Sequence, residues 1–270
     1  MNTILIATDF SDASRNASVY GVRLAKALNA KILLFNTYKI PTPAPGLSVS
    51  ISGYDVMMQT DKRLLDEAAL LDPDRQLIDI SCDEGETAAA ILNIANEKKA
   101  DLIIAGMKGN GKNLKKIFGS TATALIKRST IPVIIVPEEA KFTAPKTILY
   151  ASDAKPDVSA CQLDRIKAIT AAFDSTLYIL RLTNDDDTAV YQQLRLPGKS
   201  TGEPGKEDAF FQFPVDTTVR HSLNKFIRNH HVDMLVMMPH KREWMERLLK
   251  KSETKEMIFH THIPVVTIPE

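Results

Sequence analysis

The chain repeats itself, and this repeat constrains the fold more than any other feature of the sequence. The segment TILIATDF at 3–10 returns as TILYASDA at 147–154. A second block, DLIIAGM to IPVIIVP at 101–137, returns as DMLVMMP to IPVVTIP at 233–269 without a gap. Two matched blocks in the same order indicate two copies of one domain. The matched pairs include Asp101 and Asp233, Ser120 and Ser252, Pro132 and Pro264, and Pro137 and Pro269.

The boundary between the copies follows from composition. The stretch EEAKFTAPK at 138–146 is polar, contains a proline and follows a strand-like run. Such stretches are typical of domain joints. We therefore predict one domain over residues 1–140 and a second over residues 141–270.

Each copy alternates strand-like and helical segments. In the first copy the strand-like runs are TILIAT, AKILLFNT, RQLIDIS, DLIIAG and IPVIIVP, and most of them are almost continuously apolar. That pattern is typical of a parallel sheet covered by helices on both faces. We therefore predict an α/β fold of two tandem doubly wound domains, each with a five-stranded parallel sheet in the strand order 3-2-1-4-5.

Helical spacing predicts which helix faces are buried. A first helix, capped by Ser11 or Asp12, is expected to turn one face inward, and a second is expected near 55–71. A third helix spans ETAAAILNIANEKK, and a short fourth helix is STATALIKR. The residues predicted to face inward are Val19, Val22, Ala25 and Leu28 on the first helix and Ala88, Ile91 and Ala95 on the third.

Composition excludes several classes of function. The formal net charge is +1, which gives no overall attraction to nucleic acid or to an anionic membrane. The sequence has no secretory signal, no apolar run approaches the roughly 20 residues needed to span a bilayer, and two cysteines are too few for a disulfide scaffold or a zinc cage. These features predict a cytoplasmic protein that binds neither nucleic acid nor membrane.

The stretch GMKGNGKN at 106–113 resembles a phosphate-binding loop, but Asn113 lacks the hydroxyl that would hold magnesium. A longer pattern describes the glycines better: Gly106, two residues, Gly109, nine residues, then Gly119 and Ser120. Glycines let the backbone approach an anion, and the start of the following helix favours phosphate. We expect these residues to cradle a phosphate chain, with Ser120 as the helix N-cap and a lysine-bearing flap between the glycines.

An aspartate marks the other side of the predicted site. Asp9 follows the first strand and Gly106 ends the fourth. In doubly wound sheets, ligands bind beyond the carboxyl ends of the strands, where the winding direction reverses. In the predicted strand order the first and fourth strands are neighbours, so we expect both residues to border that crevice.

The spacing G-x2-G-x9-G-[ST] after DLIIAG resembles the universal stress protein family. The resemblance covers both halves of the chain and includes ATDFSDAS and GSTATALIKRSTIPVIIVP in the first. It implies a Rossmann-like stress-response domain that binds an adenine nucleotide, ATP with or without Mg²⁺ or else ADP or AMP. The site residues it implies are Asp9 beside adenosine, Asn36 against adenine mainly through its backbone, Gly106, Gly109, Gly119 and Ser120 around ribose and phosphates, and the adjacent Met107, Lys108 and Thr121.

The second copy departs from this pattern. Met238, Lys241 and Lys251 replace the three glycines, although Asp153 and Ser252 remain. Each replacement adds a long side chain where phosphate or ribose would lie, so the resemblance supports the fold of 141–270 but not a nucleotide site there. The stretch PHKREWMERLLKKSE is expected to form a helix that fills the cleft. Nearby histidines lack the spacing of a typical zinc pair, so no metal site is predicted.

Three kinds of function compete at this point. The first is a non-enzymatic protein whose ATP occupancy changes its shape or partners. The second is a slow ATPase, and the third is a structural or interaction protein with a vestigial site. Catalysis needs a group that activates water or stabilises the transition state, and no acid–base pair stands out. The sequence therefore favours nucleotide binding over catalysis, with weak ATP hydrolysis as the second possibility. No catalytic residue is assigned.

Assembly is the last inference from sequence. IPVIIVP and IPVVTIP would each be the outermost strand of their sheets, and exposed apolar edge strands are usually covered or paired. We predict that residues 131–137 contact residues 263–269, so that one chain mimics a dimer of single domains. Association of two chains into a homodimer is favoured slightly.

Overall fold

The structure of the protein is a computed structural model. It describes residues 1–41, 52–74, 76–107, 120–153, 166, 169–182, 188–194, 210–214, 226–237 and 262–269. These residues form two compact units, which divide between Phe142 and Thr143. The predicted contact between 131–137 and 263–269 concerns both units together and stays a prediction.

The first unit is built on five parallel strands. They are β1 (Thr3–Ala7), β2 (Lys31–Tyr38), β3 (Ile78–Glu84), β4 (Leu102–Met107) and β5 (Val133–Pro137). Their order across the sheet is β3-β2-β1-β4-β5, and every neighbouring pair is parallel. The predicted α/β class and strand order are therefore confirmed for this unit. The reversal of winding between β1 and β4 places the ligand crevice at their carboxyl ends.

Four helices cover this sheet: α1 (Asp12–Leu28), α2 (Gly53–Leu71), α3 (Thr87–Glu97) and α4 (Ser120–Arg128). α1 packs on β4 and β5, whereas α2 packs on β3 and β2. α3 packs on β2 and against α4. Right-handed crossovers put α1 and α2 on one face of the sheet and α3 and α4 on the other, which buries every residue of β1 except Thr3 and every residue of β4 except Gly106.

The N-terminus of α1 is fixed as the sequence predicts, but its buried face is not. Ser11 is the N-cap, and its hydroxyl accepts a hydrogen bond from the Ser14 amide. Val22 and Ala25 are buried, whereas Val19 is 42% exposed and Leu28 is half-buried. The inward face is lined mainly by small residues, because α1 lies close to the sheet. The prediction from apolar side chains alone therefore placed the buried face of α1 part of a turn away from its actual position. On α3, the predicted Ala88, Ile91 and Ala95 are all buried.

The outermost strand, β3, has half-buried and exposed residues and none that is fully buried. Ile78, Ile80 and Cys82 share the face that α2 covers, and the residues between them face the other way. The Cys82 thiol donates a hydrogen bond to the Asp61 carboxylate of α2 at 3.1 Å. Burial, and then Asp61, raise the pKa of this thiol to about 12. A polar contact thus helps to hold α2 on the edge of the sheet.

The second unit has a different sheet from the one predicted. Its strands are β6 (Thr147–Asp153), β7 (Thr176–Leu182), β8 (Thr188–Leu194), β9 (Phe210–Pro214), β10 (Met234–Met237) and β11 (Val265–Thr267). Within this unit the order is β11-β10-β6-β7-β8-β9. β6, β7, β10 and β11 are parallel, but β8 and β9 are antiparallel to their neighbours.

The prediction of five parallel strands is therefore wrong for the second unit. β7 ends at Leu182 and β8 begins at Thr188, so five residues separate them. A parallel crossover needs a dozen or more residues, so the chain returns in the opposite direction. In the first unit the corresponding connection, from Tyr38 to Ile78, contains α2 and allows the parallel crossover.

The two units nevertheless repeat individual contacts where their parallel strands begin. In the first unit, Asp101 Oδ2 accepts hydrogen bonds from the amides of Asn2 and Thr3 at 2.6 and 3.1 Å. In the second, Asp233 Oδ2 accepts from the amides of Lys146 and Thr147 at 2.8 and 2.9 Å. The left-handed residues recur as well: Asn29 and Lys99 in the first unit, and Asp174 and His231 in the second.

Among the helices within the described ranges, none combines the length and apolar character that crossing a membrane requires.

Candidate functional site

The turn after β1 carries the exposed aspartate. Asp9 is exposed, while Thr8 and Ser14 on either side of it are buried. The Asp9 amide donates to Ser14 Oγ at 3.3 Å, and the Phe10 amide donates to Thr8 Oγ1 at 3.1 Å. Phe10 has a φ of 64°, a left-handed conformation that costs a phenylalanine roughly 1–2 kcal/mol. Hydroxyl groups therefore hold this strained turn and present Asp9 at the edge of the sheet.

Hydrogen bonds also set the ionisation of Asp9. Burial raises the pKa of this carboxyl group, but several hydrogen bonds outweigh it. They come from the hydroxyl and amide of Ser11, whose amide lies 3.0 Å from Asp9 Oδ1, and from Ser14. The pKa of Asp9 therefore lies below its ordinary value of 3.8. At neutral pH the group is a carboxylate that accepts hydrogen bonds.

The end of β2 is open on the side of β1. The Thr8 amide donates to the Phe35 carbonyl, and Lys31 donates to Asn2, so odd-numbered residues of β2 face β1. Ile32 and Tyr38 bond to the β3 side, so even-numbered residues face β3. By this alternation the N–H and C=O of Thr37 point beyond the end of β1, which stops at Ala7. Within the part of the chain that the structure describes, no group bonds to the Thr37 N–H.

Asn36 explains why the ladder stops there. Its backbone lies in the β2–β3 ladder, opposite Cys82. Its side-chain Nδ2 donates to the Thr8 carbonyl at 2.7 Å, and the residue is 8% exposed. Thr8 is the acceptor that the Thr37 N–H would use if the parallel ladder continued. The Asn36 side chain bonds to that acceptor, and among the described residues the Thr37 N–H has no partner.

Gly106 and Met107 lie within β4, where they pair with Val136 and Pro137 of β5. A Cβ on Gly106 would lie 2.7 Å from the Ala13 carbonyl carbon and 2.8 Å from the Ser14 amide nitrogen. The glycine is therefore required for the close approach of α1 to β4. The Met107 side chain is 4% exposed, so it packs in the core. Neither Gly106 nor Met107 offers a side chain that could contact phosphate, although both residues flank the crevice.

The start of α4 is the part of the candidate site that could offer backbone N–H groups to a ligand. The helix begins at Ser120, which is exposed, and Thr121 is half-buried. Ser120 is the first described residue of the helix, and the residues before it lie outside the described ranges, so its role as N-cap stays a prediction. The first-turn N–H groups have no partner inside the helix and carry its positive dipole end. Three predicted site residues, Lys108, Gly109 and Gly119, lie outside the described residues.

Sequence reasoning missed two elements of this site. One is the Thr37 backbone, which only the alternation of the ladder reveals. The other is Glu67 of α2, a buried glutamate whose carboxyl group contacts Thr8. A sequence signal for Glu67 exists, because Thr60, Leu64 and Glu67 recur at helical spacing and all three are buried.

In the second unit the corresponding strand ends pair with each other. β6 continues through Asp153, which pairs with Leu182 of β7. In the repeat these positions correspond to Asp9 and Thr37, which do not pair in the first unit. Met238, Lys241, Lys251 and Ser252 lie outside the described residues.

Comparison with known proteins agrees with this architecture. Residues 1–137, just over half of the chain, match the model of the Universal stress protein family. A universal stress protein of Synechocystis sp. is 24% identical over 297 residues, which cover 99% of each chain. The crystal structure of a universal stress protein from Archaeoglobus fulgidus is 15% identical, with a TM-score of 0.70 over 99% of this chain and 98% of its own. That likeness shows the shared fold.

A further solved universal stress protein was crystallised in complex with cAMP. It is 24% identical, covers 50% of this chain and 96% of its own, and has a TM-score of 0.38. The bound cyclic nucleotide is a property of that protein.

Proposed function

This chain belongs to the universal stress protein family, and from that premise we propose that its first unit binds one adenine nucleotide, with ATP as the principal ligand and ADP or AMP as alternatives. Nucleotide occupancy, rather than turnover, would then be the signal that the protein carries. The observation that supports this proposal best is the open end of β2, where the free Thr37 backbone lies at the edge that also presents Asp9.

The chemistry of that opening suits adenine. The Thr37 backbone offers one N–H donor and one C=O acceptor on the same side of β2. Adenine presents an amino donor next to a ring-nitrogen acceptor, so the two edges are complementary. In guanine a carbonyl oxygen replaces that amino group, so one of the two hydrogen bonds would be lost. Since the Asn36 backbone is committed to β3, we assign the adenine contact to Thr37 and give Asn36 the role of keeping the ladder open.

Asp9 would bind the sugar. Its carboxylate is exposed and ionised at neutral pH, and it accepts hydrogen bonds. A ribose hydroxyl is a donor of the matching kind. The turn from Thr8 to Ser11 holds Asp9 at the position where the family resemblance puts adenosine.

The phosphates would lie against α4. The N–H groups of its first turn and the Ser120 hydroxyl suit an anion, and Thr121 and Lys108 are next to them. Gly109 and Gly119 would allow the backbone to approach the phosphate oxygens. Gly106 would contribute by fixing α1 against β4, and Met107 by its backbone. Mg²⁺, if bound, would be held by the phosphates with water, as is usual for this ion.

Binding without efficient catalysis fits the groups at the site. Asp9 is assigned to the sugar rather than to the terminal phosphate. Glu67 is buried and already accepts hydrogen bonds from Thr8 and Ser18. Slow ATP hydrolysis is the second candidate, and a vestigial site in an interaction protein is the third. The proposal gives no residue a catalytic role.

Calorimetry and mass spectrometry test the proposal. Freshly purified protein is heat-denatured and the released nucleotide identified, and the stripped protein is then titrated with ATP, ADP, AMP, adenosine and GTP. We expect one adenine-nucleotide site per chain and much weaker binding of GTP. Two equivalent sites per chain would contradict the assignment to the first unit, and the absence of any nucleotide binding would favour the vestigial site. Release of ADP from ATP over hours would identify the slow ATPase.

A further inference from the structure

Glu67 is a buried acidic residue next to the candidate site. It is 7% exposed and lies on α2, far from Thr8 in sequence but against it in space. Thr8 Oγ1 donates to the two carboxyl oxygens of Glu67 at 3.2 and 3.3 Å, and Ser18 Oγ lies 3.1 Å from Oε1. Burying such a group costs free energy unless hydrogen bonds satisfy it. Here the hydroxyl groups of Thr8, which follows β1, and of Ser18 on α1 supply these hydrogen bonds.

The Thr8 hydroxyl relays this contact to the turn. It accepts a hydrogen bond from the Phe10 amide at 3.1 Å, so its own proton is free to point at Glu67. Thr8 Oγ1 also lies 3.2 Å from Ser14 Oγ, which accepts the Asp9 amide. The Ser14 hydroxyl itself donates to the Ser11 carbonyl at 2.9 Å. The carboxyl group on α2 therefore orients the Thr8 hydroxyl directly, and Thr8 in turn contacts the Ser14 hydroxyl that holds the Asp9 amide.

A second contact from α2 reaches the same turn. The Arg63 guanidinium lies 3.9 Å from the centre of the Phe10 ring. Arg63 and Glu67 are four residues apart, so they lie on the same side of α2. Phe10 has the left-handed φ of 64°, which surrounding contacts must maintain. α2 thus contacts the turn at two points, the Phe10 ring through Arg63 and the Thr8 hydroxyl through Glu67.

We propose that Glu67 is a positioning residue of the nucleotide site, which fixes the turn from Thr8 to Ser11 and thereby the Asp9 carboxylate. This inference rests on the proposed adenine-nucleotide function of the first unit. Glu67 does not touch the nucleotide. It determines, through the Thr8 and Ser14 hydroxyls, how well Asp9 is placed to accept a hydrogen bond from the sugar.

Glu67→Leu and Glu67→Gln separate positioning from folding. Glu67 borders a groove of about 530 Å³ whose other walls include Val19, Leu70 and Leu71, so a leucine has apolar neighbours and room. Glutamine keeps one carbonyl acceptor for Thr8, and its amide group can donate to the Ser18 oxygen. The matched control is Leu64→Val, which alters a fully buried side chain one turn earlier on α2 without touching the polar cluster.

Two measurements are made on the whole chain well below its melting temperature. The first is the affinity for adenosine and for ATP by calorimetry. The second is hydrogen exchange of the Asp9, Phe10 and Ser11 amides in the absence of nucleotide. Since Asp9 is assigned to the sugar, we expect Glu67→Leu to weaken adenosine and ATP by the same factor, about tenfold or more. The turn amides should exchange faster by a similar factor. Glu67→Gln and Leu64→Val should stay within about threefold of the wild type.

The outcomes separate this inference from the function on which it rests. If the wild type binds nucleotide and Glu67→Leu has unchanged affinity, Glu67 is not a positioning residue although the proposed function stands. An equal loss in Leu64→Val would show that α2 packing alone is responsible. If the wild type binds neither adenosine nor ATP, the proposed function is wrong and Glu67 has no nucleotide site to position.

Discussion

The two units agree where their parallel strands begin and differ where those strands end. Asp101 in the first unit and Asp233 in the second accept the same pair of amide hydrogen bonds from the chain entering the sheet. At the opposite edge, β1 stops at Ala7 in the first unit, whereas β6 continues through Asp153 and pairs with Leu182 in the second. The contacts that build the scaffold are shared, and the end of the sheet that would take a ligand is not.

This difference shows what a binding site at a sheet edge requires. Among the described residues, the Thr37 N–H and C=O have no backbone partner, because the ladder ends two residues earlier than in the second unit and Asn36 Nδ2 donates to the Thr8 carbonyl. In the second unit the corresponding backbone positions pair with each other. Under the proposed function, an aspartate at the end of the first strand, present in both copies, is therefore not sufficient to define a nucleotide site.

The largest expected effect comes from giving the first unit a residue of the second. Gly106→Met introduces the side chain of Met238, its counterpart in the repeat. Because a Cβ at Gly106 would lie within 3 Å of the α1 backbone, we expect the free energy of unfolding to fall by about 3 kcal/mol or more. Chemical denaturation measures it. Ala27→Met adds the same side chain at an exposed position of α1 and serves as the control. Wild-type stability of Gly106→Met would contradict the packing role.

The next effect is the loss of ligand without loss of fold. Gly109→Val and Gly119→Val should each abolish ATP binding, because a branched side chain would stand where backbone is proposed to meet phosphate. Calorimetry measures the affinity, and thermal melting without ligand should show an unchanged transition. Gly111→Val is the matched control, since Gly111 lies in the same stretch but outside the spaced motif. If ATP affinity survives in both variants, the phosphate site is misplaced.

Asp9→Ala should have an intermediate effect. Loss of a charged acceptor for the ribose should weaken ATP and adenosine binding by about 1–3 kcal/mol. Asp153→Ala removes the counterpart in the second unit and should leave the affinity unchanged. An equal effect of the two substitutions would show that both copies bind nucleotide, and the contrast between the units would then fail.

A smaller effect is expected at the edge of each sheet where the parallel strands begin, since the two units have equivalent contacts there. Asp101→Ala and Asp233→Ala each remove an acceptor of two backbone amides, which should destabilise the unit concerned by about 1–2 kcal/mol. Calorimetric unfolding of each variant measures the change. Similar losses would support the equivalence of the two units at this edge. A neutral Asp233→Ala beside a costly Asp101→Ala would contradict it.

The smallest expected effect is the acid sensitivity of the first unit. The amides of Ala89 and Ala88, followed by the charges of Arg128 and Lys39, lower the pKa of Glu86 at the N-cap of α3 although burial opposes them. Because the folded pKa is below the ordinary 4.5, the stabilisation is present above that pH and is lost as pH falls through the folded value. Glu86→Gln should therefore be less stable than the wild type at pH 7, and the difference should vanish in acid. A difference that stays constant as the pH falls below 4.5 would contradict this account.

The first unit was predictable because its local patterns agree with one another. Its strands are short apolar runs, and the connections between them have helical spacing, which together predict a doubly wound parallel sheet. The second unit fails the same reasoning at one short stretch. The five residues between β7 and β8 are too few for a crossover, and that length was visible in the sequence once the strand boundaries were known.

The candidate site was predicted from the sequence as a set of side chains, without the backbone groups that the structure adds. Asp9 and Ser120 follow from their positions after a strand and at a helix start. Thr37 does not, because its role depends on which neighbour each residue of β2 faces and on where β1 ends. The structure adds a packing requirement at Gly106, because a Cβ there would meet the backbone of α1. Its predicted place beside the phosphates stays a prediction.

The hydrogen bond between Cys82 and Asp61 makes the thiol a reporter of motion in the first unit. With a pKa of about 12, the folded protein holds a very small fraction of thiolate at neutral pH. A solvent-exposed cysteine ionises near 8.5, so detachment of α2 from β3 would raise that fraction by roughly three orders of magnitude. With Cys161 replaced by serine, the rate of alkylation would follow how often α2 leaves the sheet. Ligands that tighten the first unit would slow that reaction, and no label needs to be introduced.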